Sequence, residues 1–166
     1  WSSRRRPSSS AAVSSPTAKF TAGPSAIDAR YPADFVLHSR TGQADVSLAG
    51  APAVFAGYGI VAPEFGWDDY VGLDAKGKII VVLAGDPPLT RADGRLDESL
   101  FAGPALTYYG RWTYKYEIAS EKGAAGLLIV HETGAAGYPY DVVKSGAQKE
   151  QLMLVEDSAV PRVGVE

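Results

Sequence analysis

The 166-residue sequence has no cysteine, one methionine and two histidines, His38 and His131. Without thiols there is no disulfide framework, no thiolate nucleophile and no cysteine-held metal. With two histidines, neither a Ser-His-Asp triad nor a zinc centre has much to be built from. His131-Glu132-Thr133 and His38-Ser39-Arg40 fit neither His-Glu-x-x-His nor His-x-Asp, and Gly-x-Ser-x-Gly does not occur. Long apolar runs are also missing. The longest are Ile79–Ala84 and Ala124–Val130, whereas a membrane-spanning helix needs about 20 such residues. Positive charge is scarce as well: 16 Lys and Arg face 19 Asp and Glu, a net charge of −3. A basic footprint for nucleic acid is therefore not expected.

What is present is ordinary globular material, 46% hydrophobic and 21% charged, with 18 glycines and 11 prolines to make turns. The first stretch stands apart. Residues 1–20 hold seven serines and the cations Arg4, Arg5, Arg6 and Lys19, with no acid. The rest carries 12 basic against 19 acidic residues, a net −7. Such a segment cannot bury enough apolar surface to fold, so residues 1–23 are expected to form a tail outside a single domain spanning 24–166. Ala11-Ala12-Val13 is too short for the apolar centre of a signal peptide.

From Tyr31 the pattern turns to short strands. Asp34–Ser39 and Ala44–Leu48 predict a hairpin about Thr41-Gly42, and Ala53–Tyr58 a third strand. Ile79–Leu83 is a β-branched run without polar alternation, which predicts a strand covered on both faces. Residues 85–105 predict a long loop of the kind that often carries function. Tyr109, Trp112, Tyr116 and Ala119 recur at spacings of three and four, predicting a helix over Leu106–Lys122 with Gly123 as its left-handed cap. A second buried strand follows at 125–130, then a short helical turn at 141–146 and a last strand at 160–165. Strand, helix and strand make a βαβ unit with a right-handed crossover. The fold class expected is mixed α/β, with one βαβ unit in a mixed sheet and additional antiparallel strands.

Candidate sites are few. Gly57-Tyr58-Gly59 runs into Ile60-Val61-Ala62-Pro63, which does not start a helix, so these glycines fit a tight strand end better than a phosphate loop. Asp68-Asp69 reads as a turn rather than a calcium site, since calcium takes about six to eight oxygens. Tyr108, Tyr109, Trp112, Tyr114 and Tyr116 crowd into nine residues, with Arg111 and Lys115 among them. One helix face can pack on a sheet; the other is left outside. Aromatics interleaved with Arg suit a recognition surface, which Tyr138-Pro139-Tyr140 after the neighbouring strand would extend. The candidate partner-binding residues are Tyr108, Tyr109, Arg111, Trp112 and Tyr138. No residue is assigned to catalysis, metal or a cofactor.

The string from Val54-Phe55-Ala56-Gly57-Tyr58-Gly59 through Pro63-Glu64, then Trp67-Asp68-Asp69-Tyr70 and Lys76-Gly77-Lys78-Ile79-Ile80-Val81-Val82-Leu83, resembles the protease-associated domain. The version it resembles is the one inserted in bacterial zinc-dependent peptidases of the aminopeptidase and glutamate-carboxypeptidase type. Leu106–Glu117, Lys122–Glu132 and Gly137-Tyr138-Pro139 continue the likeness, which covers roughly residues 34–166. The resemblance implies a compact lid on a separate catalytic domain, where zinc, a His-x-Asp pair and a general-base Glu would reside. It implies secretion or a periplasmic location, with the catalytic domain of the same parent chain and peptide as partners. The expected function is thus a non-catalytic lid that shapes substrate access. The alternatives are a free-standing protein-interaction module and, from a third class, an independent hydrolase.

Overall fold

A computed structural model describes residues 16–39, 46–101, 103, 105–149 and 163–165, with the backbone alone at Ser39 and 163–165. The chain begins with a hairpin of β1 (Thr17–Ala22) and β2 (Ser25–Arg30). Its alternation explains it: Ala18, Phe20, Ile27 and Ala29 share one face, while Lys19 and Asp28 pair at 3.5 Å on the other. Ordered structure thus reaches into the segment expected to be a tail. Two-residue periodicity and the Gly23-Pro24 turn outweigh the polar composition there. The Arg4–Arg6 run lies outside the described residues.

The main sheet has five strands in the order β3 (Leu37–Ser39), β9 (Val163–Val165), β8 (Gly126–Val130), β7 (Ile79–Leu83) and β4 (Ala53–Phe55). β4, β7, β8 and β9 run parallel, and β3 joins antiparallel at the edge. The mixed α/β class holds, with more parallel pairing than expected. The hairpin expected about Thr41-Gly42 is not seen in its described part: β3 pairs with β9, and Val46–Leu48 has no regular structure. Residues 40–45 lie outside the described residues. Local periodicity does not reveal a partner more than a hundred residues away.

β4 leads to β7 through a small two-stranded ribbon, β5 (Val61–Ala62) and β6 (Trp67–Asp68), joined by a single 3-10 turn at Pro63–Phe65. Asp68 accepts from the Tyr70 amide at 2.8 Å, the turn role expected of it. β7 leads to β8 through the long loop and α1 (Trp112–Glu121), completing the βαβ unit. The helix begins six residues later than expected. Its end is a Schellman cap: Gly123 (φ 74°) donates to Ser120 O and Ala124 to Ala119 O, each at 3.0 Å. β8 leads to β9 by way of α2 (Thr133–Ala136) and α3 (Tyr140–Ala147).

The core gathers on one face of the sheet. Ile80, Val82, Leu127 and Ile129 meet Ile60 and Ala62 from the ribbon and Tyr114, Ile118 and Ala119 from α1. Their neighbours Ile79, Val81, Leu83 and Leu128 are only half-buried, so β7 is covered on one face and partly open on the other. Among the described residues, no helix is long and apolar enough to cross a membrane.

Candidate functional site

The carboxyl ends of β4 and β7 are held by charge. Gly57 to Ile60 turn sharply after β4, and Asp69 accepts from the amides of Tyr58 (3.2 Å) and Ile60 (3.0 Å). Gly59 has φ 63°, and a Cβ there would stand 2.6 Å from Val82 Cγ1, so backbone and strand meet without room for a side chain. After β7, Asp86 accepts from Thr107 N (2.6 Å) and Thr107 Oγ1 (2.9 Å), pinning the start of the aromatic segment.

Lys115 lies between these two strand ends. It is 1% exposed, and its Nζ donates to Tyr58 O (2.6 Å) and Gly85 O (3.0 Å). Burial lowers its pKa to about 8, against the opposing pull of Asp86 and Asp69. Sequence reasoning noted Lys115 only as a cation within the aromatic cluster and gave it no role; the structure gives it one. Hydropathy marks a lysine as solvent-facing, and two carbonyls it reaches only after folding decide otherwise.

The helix face is corrected in part. Tyr114, Lys115, Ile118 and Ala119 are the buried stripe; of the residues whose spacing predicted the helix, Ala119 belongs to it, Tyr109 and Tyr116 pack half-buried at the core's edge, and Trp112 lies outside. Tyr114 Oη donates to Val61 O and accepts from Val61 N, each at 3.0 Å, locking α1 to the ribbon. Its phenol pKa is raised, chiefly by burial.

Of the five residues singled out, four lie on one stretch in different roles. Tyr108 is 51% exposed and donates from its hydroxyl to Glu117. Arg111 is exposed and makes no ion pair among the described residues. Trp112 is 39% exposed, its ring edge-on to Tyr116 at 5.6 Å. Tyr109 is half-buried. It packs on Tyr114 (5.0 Å) and Phe101 (6.1 Å) and donates to Glu64, which lifts its pKa to about 12. Tyr109 is therefore a clamp between the ribbon and the aromatic segment. Tyr138 packs elsewhere, tilted against His131 at 5.5 Å beyond β8.

Phe101, at the end of the long loop, was not singled out by sequence. It is 1% exposed and touches Phe65, Trp67 and Tyr109 edge-on. Its φ of 50° is unusual for a bulky residue, so nothing local announces it. The site that results is a rigid frame of Phe65, Phe101, Tyr109, Tyr114 and Lys115, from which Tyr108, Arg111 and Trp112 project. It offers ring faces and one cation, which suit binding. Among the described residues, no group of three or more His, Asp or Glu is placed to hold a metal ion.

Compared with known proteins, the chain matches no family model, no curated protein and no solved structure.

Proposed function

We propose that the chain is a non-catalytic protease-associated module of an exported zinc peptidase. It covers the cleft of a separate catalytic domain and contacts peptide through Tyr108, Arg111 and Trp112. The observation that carries this reading is the projection of those three side chains from a frame fixed by the Tyr108–Glu117, Tyr109–Glu64 and Tyr114–Val61 hydrogen bonds. Aromatic and Arg anchors held in place lose little side-chain entropy on binding. The sequence resemblance over residues 34–166 supplies the class of partner.

The test uses the isotope-labelled full chain and a pool of unlabelled pentapeptides, followed by NMR. Saturable shifts at Tyr108, Arg111 and Trp112 are expected, and Arg111→Ala should weaken them several-fold. A spectrum unmoved by peptide overturns the contact surface. With zinc and leucyl-p-nitroanilide the chain should give no turnover above blank; chelator-sensitive hydrolysis overturns the non-catalytic reading.

A further inference from the structure

The sheet is covered unevenly, and the uneven cover leaves a hollow. All three connections between parallel strands feed the same core: Ile60 and Tyr70 from the first, Tyr114 and Ile118 from the second, Ala136 from the third. Right-handed crossovers between strands that advance in one direction put the ribbon, α1 and α2 on one face, while Tyr140 of α3 reaches the other. The opposite face stays partly bare, with Phe55 59% and Val130 42% exposed. Among the described residues, the β1–β2 hairpin, residues 31–36 and Tyr140 approach it at the β8 end.

Between hairpin and sheet lies a half-open cleft of about 330 Å³. Phe20 and Ala29 of the hairpin, Phe35, Leu128, Val130 and His131 line it, and Ala33, Asp34, Ile129 and Tyr140 complete the wall. Most of its polar groups are engaged. Asp34 accepts from the Arg30 guanidinium at 2.8 and 2.9 Å, and Tyr140 Oη donates to Pro32 O at 3.1 Å. His131 Nε2 lies 3.1 Å from Tyr138 O. A carbonyl only accepts, so Nε2 carries the proton of the neutral ring. Nδ1 is left as an acceptor with no partner among the described residues.

Its lining is mostly apolar, so water in the cleft finds few of the about two to four polar partners it wants and is readily displaced by an apolar ring. An apolar cavity of roughly 150 Å³ is enough to bind benzene. We propose that this cleft is a binding site for a small aromatic molecule bearing one hydrogen-bond donor, a phenol or an indole. Its ring packs on Phe20, Phe35 and Leu128, and its donor meets His131 Nδ1. The proposal does not depend on the peptide-contact reading, which concerns other residues.

Phenol is the probe, followed by NMR on the labelled full chain. Saturable shifts are expected at Phe20, Phe35, Leu128 and His131, with toluene, which lacks the donor, at least about tenfold weaker. Ala29→Trp fills the cleft from the hairpin, outside the main core, and should abolish binding. His131→Phe should bring phenol down to the level of toluene. Shifts that never saturate, that fall away from the cleft, or that survive Ala29→Trp overturn the site. Equal affinity for phenol and toluene overturns the role of His131. The wild-type titrations decide the question even if a variant fails to fold.

Discussion

Lys115 sets the sharpest expectation at the scale of single residues. Its ammonium joins the ends of β4 and β7, and substitution by Met leaves Tyr58 O and Gly85 O without that donor. Lys115→Met should destabilise the fold by about 2 kcal/mol near neutral pH, measured by urea unfolding. The pH dependence has a definite sign. The folded pKa of about 8 lies below the ordinary 10.5, so the unfolded chain binds the proton more tightly. The penalty for burying the charge is fully present below about pH 8 and is relieved as pH rises toward 10.5, by up to roughly 3 kcal/mol. The gap between wild type and Lys115→Met should therefore widen between pH 8 and 9.5; a constant gap would mean the amine is not buried in its charged form. Trp112 behaves differently. At 39% exposure, with its ring edge-on to Tyr116, Trp112→Ala should cost about 1 kcal/mol. Phe101→Ala, which empties a fully buried site, should cost about 3–5 kcal/mol. If the two losses were equal, Trp112 would be packing rather than a projecting anchor.

At the scale of elements, α1 shows how tertiary contacts overrule a helical wheel. The spacing of Tyr109, Trp112, Tyr116 and Ala119 is real, but Tyr109 precedes the helix and is held by Glu64 and the Phe101 cluster. The helix starts only at Trp112, after Arg111 in extended backbone, and its buried stripe is Tyr114, Lys115, Ile118 and Ala119. The cap at Gly123 was legible because a left-handed residue after a helix has a strong chemical preference for glycine. Gly59 and Gly123 separate two reasons for glycine. At Gly123 the nearest atom to an added Cβ is Lys76 Cγ at 3.6 Å, so Gly123→Ala meets only the backbone penalty, about 1 kcal/mol. At Gly59 a clash with Val82 adds to the same penalty, and Gly59→Ala should cost at least twice as much. Thermal unfolding of the two variants checks the order.

For the whole molecule, the position of β9 matters most. The last strand inserts between β3 and β8, tying residues near 37 to residues near 164. Deleting residues 163–166 should leave β3 without its partner and expose the β8 edge, with a broad, weakly cooperative unfolding transition in place of a sharp one. Retention of full cooperativity would show that the strand is dispensable. The same topology gathers the ribbon and α1 on one face and leaves the hairpin to shelter the other, which is why the cleft sits there, away from Tyr108, Arg111 and Trp112.

What the sequence determined by itself was local. Apolar runs marked β7 and β8, a glycine marked the end of α1, Asp68 marked a turn, and strand–helix–strand order marked the mixed α/β class. Each follows from short-range sterics and periodicity, which act between residues a few positions apart. Only the tertiary structure decided the rest: the pairing of β3 with β9, the burial of Lys115, the anchoring of Phe101 and the division of the aromatic segment into Tyr109 that clamps and Tyr108 and Trp112 that project. Those outcomes depend on groups distant in sequence. Two backbone carbonyls from the turns after β4 and β7 make a buried lysine tolerable, and neither is visible in the identity of the residues around it.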